Sequence, residues 1–436
     1  MSKRIAPRQG KAQELWAMLQ GQSEGQAQSG EELLSTLVRL STERVLQEAL
    51  EREQAEALGR GRYERRDEPR GYRNGYEAGT LKTAEGVLRV QVPQVRDREE
   101  PYRSTLWGDV AHTSEVLKTL IVEMYAGGMS QRDIAYSLEK ALGQFVLSQS
   151  TVSELTDTLT QEYEAFRTRE LSGSEVASLF IDSVYEPLRR WGRKTGVLCV
   201  WAICVDGRKV LLSLSTANRE SYESCLEVLR DLVKRGLQTP VTITTDGALG
   251  LIKAVEAMWP TSLRIRCGFH QRQNLLQKVP PQAWPECKAL VSDRRDAPTV
   301  AEAERRRQAS VAEYHLDCPE ACRCLLEDGK ASLNHLHVPP RHQQYVRTSN
   351  LAERAFEEER RRTKVIPHLW EEGGLVKLVF AVLIRISERW GKKSCSEFEQ
   401  QQIRSLRKKL CLDEHEVTSS TPTTATQPRR SAASAA

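Results

Sequence analysis

Two runs of β-forming residues each deliver one carboxylate where the apolar stretch ends: Leu179-Phe180-Ile181-Asp182-Ser183-Val184 and Thr242-Ile243-Thr244-Thr245-Asp246-Gly247. An aspartate costs several kcal/mol to bury without a partner, so an aspartate at the end of a strand usually faces something charged. Two such strands can bring carboxylates from distant parts of a chain to one sheet edge. With a third acid they would hold Mg²⁺, a cation that prefers oxygen ligands and keeps positions open for water and phosphate. The chemistry this points to is metal-dependent cleavage or transfer of a phosphodiester strand.

The third acid is expected on a helix lying across the sheet. The stretch Ser349 to Arg362 offers Glu353, Glu357, Glu358 and Glu359. At about 100° per residue, Leu351, Ala352, Ala355 and Phe356 mark an apolar arc, and Glu353 falls about 60° outside it. The wheel leaves the choice among the four open. Asp206-Gly207, between two apolar runs, reads as a hairpin turn and not as chemistry. Asp-Gly is a turn dipeptide at 246–247 as well, where Asp246 could instead cap the helix that follows. Cys267-Gly268-Phe269-His270 is a C-x2-H, half of a zinc site at most. Cys287, Cys318, Cys322, Cys324, His335 and His337 could complete it, but their spacings fit no standard zinc module. A supporting role for Cys267 and His270 beside the acids is therefore expected.

These residues need a scaffold, and 436 residues suffice for roughly three domains of ~150 residues. Strands are predicted at 177–184, 198–205 and 208–215, a helix at 219–236, a strand at 240–245, a helix at 248–258 and a strand at 263–267. Three meandering strands followed by helix, strand and helix is the order of a ribonuclease H-like core. On this reading the core occupies 173–278 and 346–395, interrupted by a helical insertion at 279–345, with helices at 349–365 and 372–391. Ahead of it lie a helical region (1–70), a small β-hairpin segment (71–110) and a second helical region (111–172). Within 1–70, Leu33, Leu34, Leu37, Val38, Val45, Leu46, Ala49 and Leu50 keep helical spacing in a helix at 11–59. In the hairpin, Pro93 demotes its strand to an edge. In 111–172, Ser130 to Asp133 and Thr151 to Glu154 read as capping boxes opening two short helices. That pattern suggests a helix-turn-helix, with Ser130, Arg132, Thr151 and Ser153 toward DNA, against the commoner helical hairpin. Past Leu412 the Ser/Thr/Ala/Pro-rich end of 396–436 is expected to be disordered.

The charge balance, 64 Lys+Arg against 59 Asp+Glu, does not itself imply nucleic acid. Its distribution says more. Arg60, Arg62, Arg65, Arg66, Arg70 and Arg73 crowd one segment, while Arg360, Arg361, Arg362 and Lys364 crowd another, and arginine forks match phosphate oxygens. No apolar run approaches ~18 residues and Met1 to Pro7 lacks the apolar stretch of a signal peptide, so the expectation is a cytoplasmic protein, with no membrane partner and reduced thiols.

In combination these motifs resemble the bacterial insertion-sequence transposases of the Mutator type, over roughly residues 30 to 395. The resemblance rests on Asp182; on Asp246-Gly247 with Cys267 and His270 about twenty residues on; and on Thr348-Ser349-Asn350-Leu351-Ala352-Glu353 before Arg361-Arg362-Thr363. Arg73-Asn74-Gly75-Tyr76, Val92-Pro93 and Met129 to Ile134 match upstream landmarks. Departures are Gln271 and Gln273, where basic residues are usual in the family, and Gln94, where arginine is usual. The resemblance implies a DDE triad of Asp182, Asp246 and Glu353, making Glu353 the third ligand. Two Mg²⁺ ions (Mn²⁺ as a substitute) would be held with Asp182 bridging both and the other two acids each completing one. It also implies cleavage at terminal inverted-repeat DNA, transfer of the freed 3′-hydroxyl into target DNA, a homo-oligomer on DNA, and a nucleoid-associated place in the bacterial cytoplasm. The rivals are a ribonuclease H-like nuclease that cuts without joining, and a transposase-derived DNA-binding protein without catalysis.

Overall fold

The computed structural model describes residues 13, 16, 17, 30–64, 70–98, 100–110, 112–142, 146–188, 193–217, 221–327, 329–364, 372–392 and 394–412. Residues 11–29 of the predicted 11–59 helix, apart from 13, 16 and 17, together with Arg65, Arg66, Gly143 and the stretch beyond Leu412, lie outside them. The chain divides into two compact units: residues 1–164 with 360–368 and 377–382, and the remainder. No helix among the described residues is long and apolar enough to cross a membrane.

In the first unit, helix α1 (Gly30–Leu58) lies along a hairpin of β1 (Tyr72–Thr83) and β2 (Gly86–Arg96). Its buried stripe is only partly the predicted leucine face, of which Leu50 is buried and Leu46 packs beside it against β2. Leu34, Val38 and Val45 are exposed, whereas Leu40, Glu43, Gln47, Leu50, Gln54 and Leu58 are buried. The polar members of that stripe satisfy the otherwise open edge of β2. Glu43 accepts from the Arg89 N–H, Gln47 makes both bonds to Gln91, and Gln54 donates to the Gln94 carbonyl. An edge strand in need of partners has thus selected glutamines over leucines. Arg73 is structural as well: its guanidinium donates to Gln54 Oε1 and to the carbonyls of Arg60 and Gly61.

Helices α2 (Thr105–Asp109), α3 (Glu115–Ala126), α4 (Gln131–Leu142), α5 (Gln149–Thr156) and α6 (Thr158–Thr168) follow. Ser130 opens α4 as expected, accepting from the Asp133 N–H. Helix α5, however, begins three residues before the predicted box. Its N-cap is Ser148, whose extended backbone lets the hydroxyl accept from the Thr151 N–H, so Thr151 sits inside the first turn. Ser148→Ala is expected to cost about 1 kcal/mol of stability, read as a lowered denaturation midpoint, and Thr151→Ala less.

The second unit is built on a five-stranded mixed sheet in the order β5-β4-β3-β6-β7. Strands β3 (Val176–Leu188), β4 (Arg193–Cys204) and β5 (Lys209–Ala217) form the antiparallel meander, turning at Asp206-Gly207 where Gly207 has φ +92°. After α7 (Tyr222–Lys234), β6 (Thr242–Thr245) runs parallel to β3; after α8 (Leu249–Met258), β7 (Leu263–Arg266) runs parallel to β6. Alternation along β4 sends Leu198, Val200 and Ala202 into one core, shared with Leu229 and Leu232 of α7 and Val255 of α8. The next helix, α9 (Gly268–Leu276), leads into a helical insertion of α10 (Trp284–Arg295), α11 (Val300–Tyr314), α12 (Pro319–Leu326) and α13 (Pro340–Val346). The chain returns through α14 (Asn350–Thr363), α15 (Glu372–Trp390) and α16 (Glu397–Lys409). Trp390, at the end of α15, packs on Trp201 of β4.

Candidate active site

Register places the first two acids side by side. Ile181 of β3 pairs with Thr245 of β6, so Asp182 and Asp246 are the next residues on adjacent parallel strands. Strand β6 ends there, but β3 continues to Leu188 with β4 alone as its partner, so Asp182 stands where the sheet narrows and not at its own strand's end. Asp246 is not the cap of α8. Its Oδ1 accepts from the N–H groups of Gly247 and Ala248, and Ala248 at the N-cap makes no side-chain bond. A Cβ at Gly247 would come within 2.0–2.3 Å of the Arg266 guanidinium, so a side chain there would have to displace it.

The third acid arrives through a set of bonds from the sheet to the start of α14. Thr244 Oγ1 donates to the Val346 carbonyl at 2.7 Å, the Gly268 N–H to the Arg347 carbonyl at 2.9 Å, and the Ser349 N–H to Cys267 Sγ at 3.2 Å. Ser349 Oγ then donates to Glu353 Oε1 at 2.9 Å and lies 3.2 Å from Cys267 Sγ. The line Cys267–Ser349–Glu353 thus fixes the glutamate from behind. Ser349 stands in the motif quoted above, yet spacing alone gave it no role. Among the glutamates of α14, the charge of Glu353 acts on Asp182. Glu357 is exposed, and buried Glu359 acts on Cys199, as Asp182 does.

Electrostatics tie the group together. Burial drives the Asp182 carboxyl up to about 7, with Asp246 and Glu353 pushing the same way and the His270 charge opposing them. His270 is raised to about 9, chiefly by its hydrogen bond with Cys267, against burial and with help from the Cys267, Asp182 and Glu353 charges. Burial disfavours a thiolate at Cys267, but hydrogen bonds with His270 and Ser349 outweigh it and lower its pKa. The resting cluster therefore gathers buried negative charge around one imidazolium.

This donor chemistry fits a divalent cation, which would offset both the burial and the acidic neighbours that raise Asp182. The three acids do not crowd into one tight group, however. Among the described residues, the side chains whose ligating atoms all lie within 4.8 Å of one another are Cys267, His270 and Glu353. The other candidate zinc ligands are elsewhere. Cys287, Cys318 and Cys324 pack with Leu275, Val291 and Ala321 in an apolar cluster of the insertion, and both ring nitrogens of His335 bond to the carbonyls of Ser332 and Arg295.

The residues expected to face DNA divide by exposure. Arg132, Arg360, Arg361 and Lys364 are exposed, and Arg362 and Ser130 half-buried. In the first unit Gly128, at φ +99°, lets the backbone of Arg362 approach so closely that a Cβ would meet it at 3.0 Å, bringing the basic run beside the loop that carries Ser130. Thr151 and Ser153 are half-buried and engaged, with Ser148 and Gln131 respectively; the exposed positions of α5 are Gln149, Ser150 and Glu154.

Fold and site together define a mixed α/β protein with an acidic cluster at the ends of its parallel strands. The chain belongs to the family described as Transposase, Mutator family, which it matches over residues 11–393. It is 31% identical to the transposase for insertion sequence element ISRM5 of Rhizobium meliloti (strain 1021), over 79% of this chain and 86% of that one. It is 32% identical to the transposase for insertion sequence element IS6120 of Mycolicibacterium smegmatis, over 64% of this chain and 85% of its relative. Among solved structures, the Drosophila P element transposase strand transfer complex is similar at a TM-score of 0.26 and 11% identity, over 69% of this chain and 92% of that chain, too weak a likeness to bear on the fold.

Proposed function

We propose that this chain is a DDE transposase of an insertion sequence, cutting DNA at the element's ends and joining the freed 3′-hydroxyl to target DNA. The observation that supports the reading is the adjacency of Asp182 and Asp246 on neighbouring parallel strands, with the charge of Glu353 acting on Asp182, in a chain of the Mutator family. The sheet order, an antiparallel meander continued by two parallel strands, supports a ribonuclease H-like core. Helices α3 to α5 pack on one another, and exposed Arg132 together with the Arg360–Lys364 run supports a DNA-binding role for the first unit, with α4 and α5 as its helix-turn-helix.

Asp182, Asp246 and Glu353 would hold Mg²⁺, which when bound supplies charge stabilisation to a phosphodiester under attack. Ser349 and Cys267 keep Glu353 at a fixed orientation toward the sheet. His270 offsets the acids' charge while the site is empty of substrate, and its protonated ring can donate to a carboxylate or a phosphate oxygen. The exposed arginines at the end of α14 would take backbone phosphates. No side chain need form a covalent intermediate, since the attacking groups are water and then the DNA's own 3′-hydroxyl.

The test is incubation with Mg²⁺ and DNA carrying the element's own ends, together with a target plasmid. Nicked ends bearing a 3′-hydroxyl and end DNA joined to the plasmid are expected. Cut but never joined ends would make the chain a nuclease, and binding of end DNA without cutting would make it a DNA-binding protein.

A further inference from the structure

A cavity of about 280 Å³ opens beside Glu353, between α9, the end of α10 and the turn before α14. Five arginines line it (Arg266, Arg272, Arg294, Arg295 and Arg347), and Glu353 is the one carboxylate on its wall. Arg295 and Arg347 share the carboxylate of Asp296, at 2.6 and 3.1 Å. Arg294 is different. It is 5% exposed, and its one bond is from Nη2 to the neutral Oε1 of Gln271 at 2.7 Å, leaving buried Nε and Nη1 without a partner. Gln271 is itself 3% exposed, and its buried Nε2 has no partner either. The nearby Glu304 is engaged by Arg307, whose charge repels Arg294. A buried guanidinium facing a neutral amide, with a second cation behind it, is strongly unfavourable until an anion enters. Burial, then Arg307, holds Arg294 down to about 10. The wall also includes the ring of Phe269, with the Arg272 guanidinium 5.6 Å from its centroid, a surface on which a base can stack.

We propose that this cavity is a binding site for one unpaired nucleotide, its phosphate held by Arg294, Gln271 and Arg272 and its base against Phe269. The proposal deepens the reading of the neighbouring acids as a cleavage site, and rests on it for the source of the nucleotide: a strand lying across Glu353 would place a flanking residue here. A cavity of this size takes a single extruded nucleotide and not a base-paired segment. It also accounts for glutamine at 271. A second cation against buried Arg294 would have no counter-charge, whereas an amide can bond the guanidinium and the ligand at once.

The test is equilibrium binding of deoxythymidine monophosphate to the full chain at low salt without divalent metal, with thymidine and inorganic phosphate as parallel probes. One saturable site for the nucleotide is expected, with thymidine unbound and inorganic phosphate at least tenfold weaker. Gln271→Glu supplies Arg294 with an internal carboxylate. It should weaken nucleotide binding at least tenfold while leaving the melting temperature unchanged or raised, and Arg272→Ala should weaken binding too. Absence of a saturable site, equal binding by the Gln271→Glu protein, or phosphate binding as tightly as the nucleotide would each overturn the proposal. Asp182→Asn separates it from the cleavage reading. That variant should bind the nucleotide as the parent does, so cleavage that depends on Asp182 with no nucleotide bound removes the pocket alone. Nucleotide binding without any Asp182-dependent cleavage removes the active-site reading, and with it the stated source of the nucleotide.

Discussion

Asp182→Asn, Asp246→Asn and Glu353→Gln are each expected to lower metal-dependent strand cleavage by at least ~10³-fold, while end-DNA binding changes little. The swaps keep shape and remove the negative charge on which metal affinity depends. Each is asked to remove several kcal/mol of transition-state stabilisation, at about 1.4 kcal/mol per tenfold in rate. Stability should move the other way at position 182. The folded-state pKa of Asp182 is raised to about 7 from 3.8, by burial and then by its acidic neighbours. A raised carboxyl contributes stability that is present below its unfolded pKa and is lost as pH rises through its folded one. Between about pH 4 and 7 the metal-free parent thus loses stability that the Asp182→Asn protein keeps, and at pH 8 the variant should melt at the same temperature or higher. Cleavage rates and metal-free melting curves on the same preparations check both signs. A fully active Glu353→Gln protein would transfer the third role to Glu357, Glu358 or Glu359.

Much of this architecture could be read from the sequence because period and composition agree there. The β-branched runs carrying Asp182 and Asp246 became adjacent strands, and helices α9 to α13 lie between β7 and α14. What was not legible depended on partners that lie far away in sequence. Glu43, Gln47 and Gln54 look like solvent-facing residues until β2 is there to bond them. Ser148 and Thr151 are equally good caps by type, and the backbone at Ser148 decides between them. Gln271, by position a contact to DNA that had lost its charge, is an interior residue bonded to Arg294 of the insertion. Even within the site, spacing could nominate Glu353 among four glutamates only by likeness. The bonds of Ser349 and Cys267, 82 residues apart, are what orient it.

His270→Ala is expected to cost cleavage about 10–100-fold, the usual penalty for removing a group that orients metal-binding carboxylates, without unfolding the protein. Raised to about 9 by its bond with Cys267, His270 is cationic at neutral pH and is the counter-charge that acts on Asp182. Without it the acids face one another undiluted and attract a cation more strongly, so the variant should reach half-maximal rate at lower Mg²⁺ although its maximal rate falls, a shift that a purely structural role would not produce. Cys267→Ser should be mild, because a hydroxyl can keep the bonds to Ser349 and the space under the histidine is nearly conserved. The competing possibility is that Cys267, His270 and Glu353, whose ligating atoms lie within 4.8 Å of one another, hold a zinc ion of their own. Three protein ligands with an open fourth position is a known zinc arrangement, and a zinc-bound thiolate would not tolerate replacement by serine. Elemental analysis of protein purified without added metal decides between the two. Absence of zinc after dialysis against a mild chelator is the expected result. About one retained zinc per chain, together with loss of activity in Cys267→Ser, would instead make these three side chains a metal site and leave Asp182 and Asp246 to act without Glu353.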